Sequence, residues 1–267
     1  MKKIYKIATY SDLHGTLPNR PPADVDIVVF AGDICGHNPR GHSVGNAGDF
    51  SFQDSQLFEK FIPFFKSLNK PTIFIPGNHD IIMDRLISQK FYHFKSRDIR
   101  RLIDSEIKDS NIHFLINSEV CIDGIKFWGS PYVPYIDQRW AFQYPKFNQT
   151  EFAKTNWNAI PEDTQILVTH TPPSGIMDAD FGGTHFGCRA LSTRIDKLLN
   201  NGRLQVHIFG HSHVRGIDDR FDNLLFVNGA ISGGPRHDFT DIEDGCPYEI
   251  QSLDPIVFEF QPNKSEK

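Results

Sequence analysis

The chain has 267 residues, of which 39% are hydrophobic and 23 are phenylalanine, so it has enough apolar material for a sizeable core. Its net charge of −5 argues against a surface that binds nucleic acid or anionic membranes, and we expect neither partner. No segment has the length and hydropathy of a membrane span or a signal-peptide core. The four cysteines have no paired spacing, which favours reduced thiols in a cytoplasmic protein: Cys35, Cys121, Cys188 and Cys246.

Apolar runs bounded by Gly, Pro or Asp predict strands at 4–10, 25–31, 72–76, 164–169, 204–209, 224–227 and 256–260. Asp123-Gly124 predicts the turn of an antiparallel pair within 111–128. Apolar residues at helical spacing predict helices at 54–69, 98–108 and 188–201. The first should be capped by Asp54 or Ser55, and Pro63 should kink or break it. With no repeat and no linker, we expect one domain over residues 1–267, with a frayed tail at about 261–267.

Two long stretches follow neither period, one at 36–52 rich in Gly, His and Asn, and one at 130–158 rich in aromatic residues. Long irregular segments in a compact domain are usually functional or mobile. In the second stretch, the aromatic side chains have two interpretations that the sequence leaves open. They stack on a nucleobase, or they form a packed cluster beneath a loop: Trp140, Phe142, Tyr144 and Trp157.

Five short polar motifs each follow one of the strand-like runs, and strand ends of an open α/β sheet meet at one edge. The motifs supply carboxylate, imidazole and carboxamide ligands and no thiolate, a set that suits two divalent ions sharing one carboxylate. They are Asp12-Leu13-His14, Gly32-Asp33, Gly77-Asn78-His79-Asp80, Val168-Thr169-His170 and Gly210-His211-Ser212-His213.

The motifs also predict a chemistry. Asp33 can offer one oxygen to each ion, and two ions roughly 3.5–4 Å apart would activate a bridging water and neutralise the charge that develops on phosphorus. His79 would protonate the leaving oxygen or clamp the phosphate, and Asp80 would orient the His79 imidazole. His207 lies within an apolar strand and is expected to be packed rather than catalytic.

The ordered set of five motifs resembles the calcineurin-like metallophosphoesterase superfamily over residues 4 to about 230. The resemblance implies an α/β fold in which a two-sheet β sandwich is flanked by helices, giving four layers in the order α/β/β/α. It implies a dinuclear centre of Mn, Fe or Zn and a catalytic role for His79. It also implies two ligand sets that share one carboxylate: Asp12, His14, Asp33 and His213 for the first metal, and Asp33, Asn78, His170 and His211 for the second.

Within the superfamily, the run Thr171-Pro172-Pro173-Ser174-Gly175 and the pair Gly187-Cys188 are similar to the brain-expressed metallophosphoesterase-domain proteins. That group resembles class III cyclic-nucleotide phosphodiesterases. The Ser/Thr protein phosphatase branch fits poorly, because Asp33 is followed here by Ile-Cys-Gly-His rather than by an acidic residue and an arginine.

These features predict a metal-dependent hydrolase of a small phosphate ester, with a phosphodiester favoured and a nucleotide as one candidate substrate. A phosphomonoesterase and a non-catalytic metal-binding scaffold are the alternatives, and a nuclease is disfavoured by the absence of a basic groove. Three residues are candidate substrate contacts. His37 and Asn38 are equally compatible with a solvated loop, and Arg189 with a salt bridge at a helix start.

Overall fold

The computed structural model describes residues 3–38, 47–87, 98–235 and 246–263, except for the side chains of residues 47–49. Its strands are β1 Tyr5–Tyr10, β2 Ile27–Ala31, β3 Thr72–Ile75, β4 Ile112–Phe114, β5 Ser118–Ile122, β6 Ile125–Ser130, β7 Ile166–Thr169, β8 Val206–Phe209, β9 Gly216–Phe221, β10 Leu224–Asn228, β11 Ser232–Pro235, β12 Tyr248–Ile250 and β13 Ile256–Phe260. Its α-helices are α1 Ala47–Ser55, α2 Ile62–Leu68, α3 Ile99–Ile107, α4 Gln149–Asn158 and α5 Arg189–Leu199. A π-helical segment, Gln56–Phe61, joins α1 to α2, and Ile81–Met83 forms a 3₁₀ turn.

Two large sheets form the centre of the fold. The first has the order β13-β1-β2-β3-β4 and the second the order β5-β6-β7-β8-β10-β9, while β11 and β12 pair separately. Strands β1 to β4 are parallel, as are β6, β7, β8 and β10, and the antiparallel strands β13, β5 and β9 lie at the edges. All strands that precede the polar motifs are therefore interior parallel strands.

Strand residues alternate between two cores, as a period of two requires. In β1, Ile7 packs between the two sheets, whereas Ala8 and Tyr10 pack on the opposite face with the helices α1 to α3. Helices α4 and α5 cover the outer face of the second sheet, where Trp157 and Leu191 pack. The layers thus run α/β/β/α, which confirms the predicted fold class.

Several predicted elements differ in extent from the observed ones. The helix predicted from residue 54 begins at Ala47, so Asp54 and Ser55 lie inside it and not at its cap. Pro63 is the second residue of α2, directly after the π-helical segment, so the interruption predicted at Pro63 coincides with a change of helix type. Within 111–128, β4 pairs in parallel with β3, and only β5 and β6 form the predicted hairpin.

The structure also contains elements that were not predicted. Helix α4 lies inside the stretch 130–158, and β9, β11 and β12 have no counterpart among the predicted strands. Residues 39–46 of the stretch 36–52 lie outside the described part of the chain, as do residues 264–267 of the tail. Within the described ranges, no helix has the length and hydropathy needed to cross a bilayer.

Candidate metal centre

The five motifs meet at one edge of the two sheets, in the turns that follow β1, β2, β3, β7 and β8. Most of the predicted ligands are fully buried, and His211 is half-buried. Five of them have left-handed backbone, which non-glycine residues adopt only when the surrounding structure enforces it. These are Asp12 (φ 56°), His14 (φ 44°), Asp33 (φ 53°), His211 (φ 70°) and His213 (φ 55°).

The carboxylate of Asp33 lies at the middle of the cluster. Its Oδ2 atom is 3.2 Å from His170 Nε2, 3.7 Å from His14 Nε2 and 4.0 Å from His79 Nε2. Its Oδ1 atom accepts the backbone N–H of His79 at 2.8 Å. A single oxygen of Asp33 therefore faces imidazoles from both sheets, whereas the sequence predicted one oxygen for each ion. A bridging role for Asp33 stays a prediction.

One ligand group lies beside the first sheet and contains Asp12, His14 and His213. The Nε2 atoms of His14 and His213 are 3.1 Å apart, and His213 Nε2 is 3.4 Å from Asp12 Oδ1. His213 donates its Nδ1–H to the carbonyl of Gly233 at 2.8 Å, which leaves a lone pair on Nε2. The Asp12 carboxylate and the His213 Nε2 lone pair thus point into the same space beside His14.

A second group contains Asp33 and His170, with Asn78 beside them. His170 donates its Nδ1–H to the carbonyl of Ala31 at 2.9 Å, so its Nε2 lone pair faces Asn78 Oδ1 at 3.1 Å. The ring of His211 lies 5.1 Å from that of His170, and its Nε2 atom is buried with no hydrogen-bond partner. The structure thus places the other six predicted ligands around Asp33.

These donor atoms fit divalent cations. Converging oxygen and imidazole lone pairs repel one another unless a proton or a cation lies between them, and O/N sets without thiolate suit Mn, Fe or Zn. The orphaned Nε2 of His211 and the orphaned Nδ1 of His14 are buried polar atoms of the kind that a native protein otherwise satisfies. The residues present therefore fit a pair of divalent metal ions.

The electrostatics of the cluster favour positive charge next to Asp33. Burial alone would raise the pKa of the Asp33 carboxyl, but the imidazoles of His170 and His79 lower it well below its usual range. Burial lowers the pKa of His170, yet Asp33 outweighs that effect and raises it to about 9. For His14 burial wins, and its pKa falls to about 3. A proton on His170 thus supplies positive charge beside the ionised carboxylate of Asp33, and a bound cation would take the place of that proton.

Glycines allow this close approach. A Cβ on Gly77 would overlap Asp33 Oδ1, one on Gly210 would overlap Asp12 Oδ2, and one on Gly32 would overlap the His170 ring. The glycine that precedes a ligand in three of the five motifs is therefore a packing requirement, and it is visible in the sequence.

His79 lies at the boundary between this centre and the cavity above it. Its Nε2 atom faces Asp33, and its Nδ1 atom is 2.6 Å from Nε2 of His37. Asp80 does not contact the His79 ring in the predicted way. Its two oxygens accept backbone N–H groups of Ile34 (3.1 Å), Cys35 (2.7 Å) and Gly77 (2.7 Å), so it ties together the turns after β2 and β3.

A cavity of about 370 Å³ opens above the centre. Its floor consists of metal-centre residues, and its walls include four aromatic residues: Trp140, Phe181, Phe186 and Tyr248. The four aromatic residues of the stretch 130–158 separate here. Trp140 lines the cavity with its ring 4.2 Å from that of His79, whereas Phe142, Tyr144 and Trp157 are buried in the core. Three of the four residues are therefore packed in the core, and stacking on a nucleobase stays a prediction for Trp140.

The three candidate substrate contacts occupy different positions. His37 packs against both His79 and Trp140, with ring-centroid distances of 4.8 Å and 5.6 Å, and is not among the residues that line the cavity. Asn38 is half-buried, and Arg189 is exposed at the first residue of α5. Neither Asn38 nor Arg189 lines the cavity.

Tyr248 is a cavity residue that was not predicted. Its ring packs against those of His14 and His213, at 4.5 Å and 4.4 Å. Tyr248 belongs to none of the five polar motifs and is not adjacent to any of them, so no pattern in the sequence predicts its role. His207, by contrast, is packed as predicted, with Nε2 2.8 Å from Thr169 Oγ1.

The family model for calcineurin-like phosphoesterases matches residues 5–215. The chain belongs to the calcineurin-like phosphoesterase family. This confirms the resemblance read from the five motifs, and it shows a family that uses divalent metals and acts on phosphate esters.

Among relatives of this chain, the human protein named Metallophosphoesterase domain-containing protein 1 is 33% identical over 186 residues, which are 66% of this chain and 55% of that protein. The Caenorhabditis elegans protein named UPF0046 protein K07C11.7 is 28% identical over 236 residues, which are 84% of this chain and 69% of that protein. The chain thus spans only about half to two thirds of these relatives. The crystal structure of TT1561 of Thermus thermophilus has a similar fold, with a TM-score of 0.52 at 13% identity over 85% of this chain and 89% of that one.

Proposed function

We propose that this protein is a dinuclear-metal phosphodiesterase that cleaves a small phosphodiester at the centre around Asp33. The observation that carries the proposal is the shared Asp33 carboxylate, whose Oδ2 atom faces His170 at 3.2 Å and His14 at 3.7 Å on the floor of an accessible cavity. When bound, two divalent ions would activate water and neutralise charge on the phosphate. Asp12, His14, Asp33 and His213 would hold one ion, and Asp33, Asn78, His170 and His211 the other.

The residues of the chain would do three further things. His79 would present an Nε2–H to a substrate oxygen, because that nitrogen faces the centre from the cavity side. Asp80 would hold the turns after β2 and β3 together through three backbone N–H groups. The aromatic walls would exclude bulk water, which strengthens each electrostatic interaction on the floor.

The cavity walls favour a diester over a monoester. No lysine or arginine is among the described residues that line it, and Asp180 adds a carboxylate. The large apolar side chains of its walls are Ile136, Trp140, Phe181, Phe186 and Tyr248. A monoester dianion brings a second negative charge and only one organic group. A diester monoanion needs fewer cationic partners and has two organic groups that can pack against apolar walls. A nucleotide diester is one such substrate, since Trp140 offers a face for a planar ring.

The test compares bis-(4-nitrophenyl) phosphate with 4-nitrophenyl phosphate after chelation and re-addition of Mn²⁺, Fe²⁺ or Zn²⁺ in separate samples. We expect metal-dependent cleavage that favours the diester. The variant Asp33→Asn keeps the side-chain shape and removes the shared charge. It should lose more than about 100-fold in turnover, because even residues that only support a ligand contribute about 10–100-fold.

Other outcomes would assign a different function. Turnover of the monoester alone would replace the diesterase with a phosphomonoesterase. Tight metal binding with no turnover of either ester, and none in Asp33→Asn, would favour a non-catalytic scaffold. If Asp33→Asn cleaved the diester as fast as the wild type, catalysis would not take place at the metal centre around Asp33.

A cytoplasmic location is part of the same proposal. All four cysteines are thiols rather than disulfides in the described part of the chain, and Cys35, Cys188 and Cys246 are buried, as suits a reducing compartment. Recovery of the tagged protein in a secreted or organellar fraction would contradict it.

A further inference from the structure

The imidazole of His37 makes a short contact behind the proposed catalytic histidine. Its Nε2 atom lies 2.6 Å from Nδ1 of His79, while the other ring nitrogen of His79, Nε2, faces Asp33 Oδ2 at 4.0 Å. The His79 ring is also confined by Trp140, at 4.2 Å between centroids, and by the edge of His14, at 4.5 Å. One hydrogen bond therefore decides which nitrogen of a confined ring carries the proton.

The direction of that hydrogen bond has two chemical consequences. If His79 donated from Nδ1, a lone pair on its Nε2 would face the ionised carboxylate of Asp33, which is repulsive and would suit a metal ligand. If His37 donates, the proton of His79 is on Nε2 and points toward the carboxylate and the substrate volume, which is attractive. Electrostatics thus favour His37 as the donor.

We propose that His37 is a positioning residue for His79: its Nε2–H donates to Nδ1 of His79 and holds the His79 proton on Nε2, the nitrogen that faces the metal centre. Both oxygens of Asp80 accept backbone N–H groups, and the group that contacts Nδ1 of His79 is the imidazole of His37. His79 then acts as a neutral hydrogen-bond donor to the leaving oxygen and not as a third imidazole on the metal. This inference rests on the proposed function.

The kinetic test uses diesters that differ in their leaving group. A donor to the leaving oxygen matters most when that oxygen gains the most charge, so a phenyl ester should depend on it more than a 4-nitrophenyl ester. We expect His37→Phe, which keeps a ring and loses the donor, to lower kcat for the phenyl ester about 100-fold and for the 4-nitrophenyl ester much less. His37→Gln, whose amide can donate, should restore most of the loss.

A double-mutant cycle separates positioning from a general structural effect. In a His79→Ala background, His37→Phe should cause no further loss, because the residue acts through His79. An additive loss, or the same loss for both leaving groups, would overturn the proposal. His113→Phe, the same substitution in β4 away from the centre, is the matched control and should leave both rates unchanged.

A second readout does not depend on activity. In the zinc-loaded protein labelled with ¹⁵N-histidine, the couplings of the His79 ring should show the Nε2–H form in the wild type, with assignment by loss of its signals in His79→Ala. His37→Phe should shift the ring toward a mixture of forms. An Nδ1–H form in the wild type would overturn the proposal. If the wild type cleaves neither ester, the proposed function fails, and this measurement still decides the inference about His37.

Discussion

The floor and the rim of the cavity differ in how tightly their residues are held. At the floor, Gly77 and Gly210 let Asp33 and Asp12 approach the backbone with no space for a Cβ, and the ligands have left-handed backbone that their neighbours enforce. At the rim, Phe181 exposes 63% of its surface. We therefore expect that adding one methyl group at a floor glycine lowers catalytic activity. Truncating a rim side chain should lower substrate affinity alone.

The largest effect is expected from Gly77→Ala. Its Cβ would overlap Asp33 Oδ1 and lie 2.7 Å from His170 Cε1, so the shared carboxylate must move. Because a displacement of about 1 Å in a catalytic group can cost about 100-fold, we expect at least that loss in kcat/KM together with weaker metal retention. Steady-state kinetics and metal analysis after dialysis would measure both.

Gly216→Ala is the matched control for this substitution. The nearest atom to its new Cβ would be Met177 Sδ at 3.6 Å, an ordinary contact, so activity should be unchanged. If Gly77→Ala retained full activity and metal content, the floor would be more compliant than its packing indicates.

The floor is also the part of the site that the sequence predicts best. Each ligand follows an apolar run that becomes an interior parallel strand, and strand order then brings the runs to one edge. The glycines before Asp33, Asn78 and His211 mark close approaches in the sequence itself. The resemblance to a known family assigns the ligands to two metals, which spacing alone does not do.

The role of Asp80 and the walls of the cavity could not be predicted in the same way. Asp80 follows His79 directly, yet the turn aims its carboxylate at backbone N–H groups of two different loops, which depends on tertiary structure. Phe181 and Tyr248 reach the cavity from segments with no recurring pattern. Trp140 and Phe142 are two residues apart, yet Trp140 lines the cavity and Phe142 is buried in the core. The backbone conformation between them determines this difference, and the sequence does not show it.

The missed elements have a related cause. Helix α4 has the sequence Gln-Thr-Glu-Phe-Ala-Lys-Thr-Asn-Trp-Asn, in which few apolar residues repeat at helical spacing. It is stabilised by tertiary packing of Trp157 and Ala153 against the outer face of the second sheet. Strand β9 is an edge strand with mostly exposed residues, so no alternation of apolar and polar side chains marks it.

A smaller effect is expected at the rim from Phe181→Ala. Truncation removes part of an apolar wall that a diester's organic group would cover, which we expect to cost about 1 kcal/mol in binding. KM for bis-(4-nitrophenyl) phosphate should therefore rise about fivefold, with kcat nearly unchanged. The rise should shrink for methyl 4-nitrophenyl phosphate, whose second arm is too small to contact the wall.

Phe147→Ala is the matched control at the surface. Phe147 is more exposed than Phe181, at 78%, and does not line the cavity, so its loss should leave KM unchanged for both esters. A loss of kcat in Phe181→Ala equal to the change in KM would show that the rim also positions the reacting groups, and the contrast between floor and rim would then be wrong.

A third effect is on stability and not on activity, and it concerns two histidines that are equally buried, one in the metal centre and one outside it. The facing carboxylate raises the pKa of His170 to about 9, whereas His207 faces Thr169 and aromatic rings, and burial lowers its pKa to about 3. Between pH 6.5 and about 3, the unfolded chain binds a proton at His207 that the folded protein does not bind. His207 therefore destabilises the fold increasingly as the pH falls below 6.5, and has no such effect above it.

The variant His207→Gln keeps a hydrogen-bonding group and does not titrate. Between pH 7 and pH 5, the free energy of unfolding of the wild type should fall by about 2 kcal/mol more than that of the variant, which urea titrations in chelator at the two pH values would measure. Thr169→Val removes the hydrogen-bond partner but leaves His207 in place, so its pH dependence should match that of the wild type. If the free energy of unfolding fell equally with pH for wild type and His207→Gln, His207 would bind a proton in the folded state as it does in the unfolded chain. In that case the carboxylate that faces His170 would not be what separates the pKa of His170 from that of a packed histidine in the core.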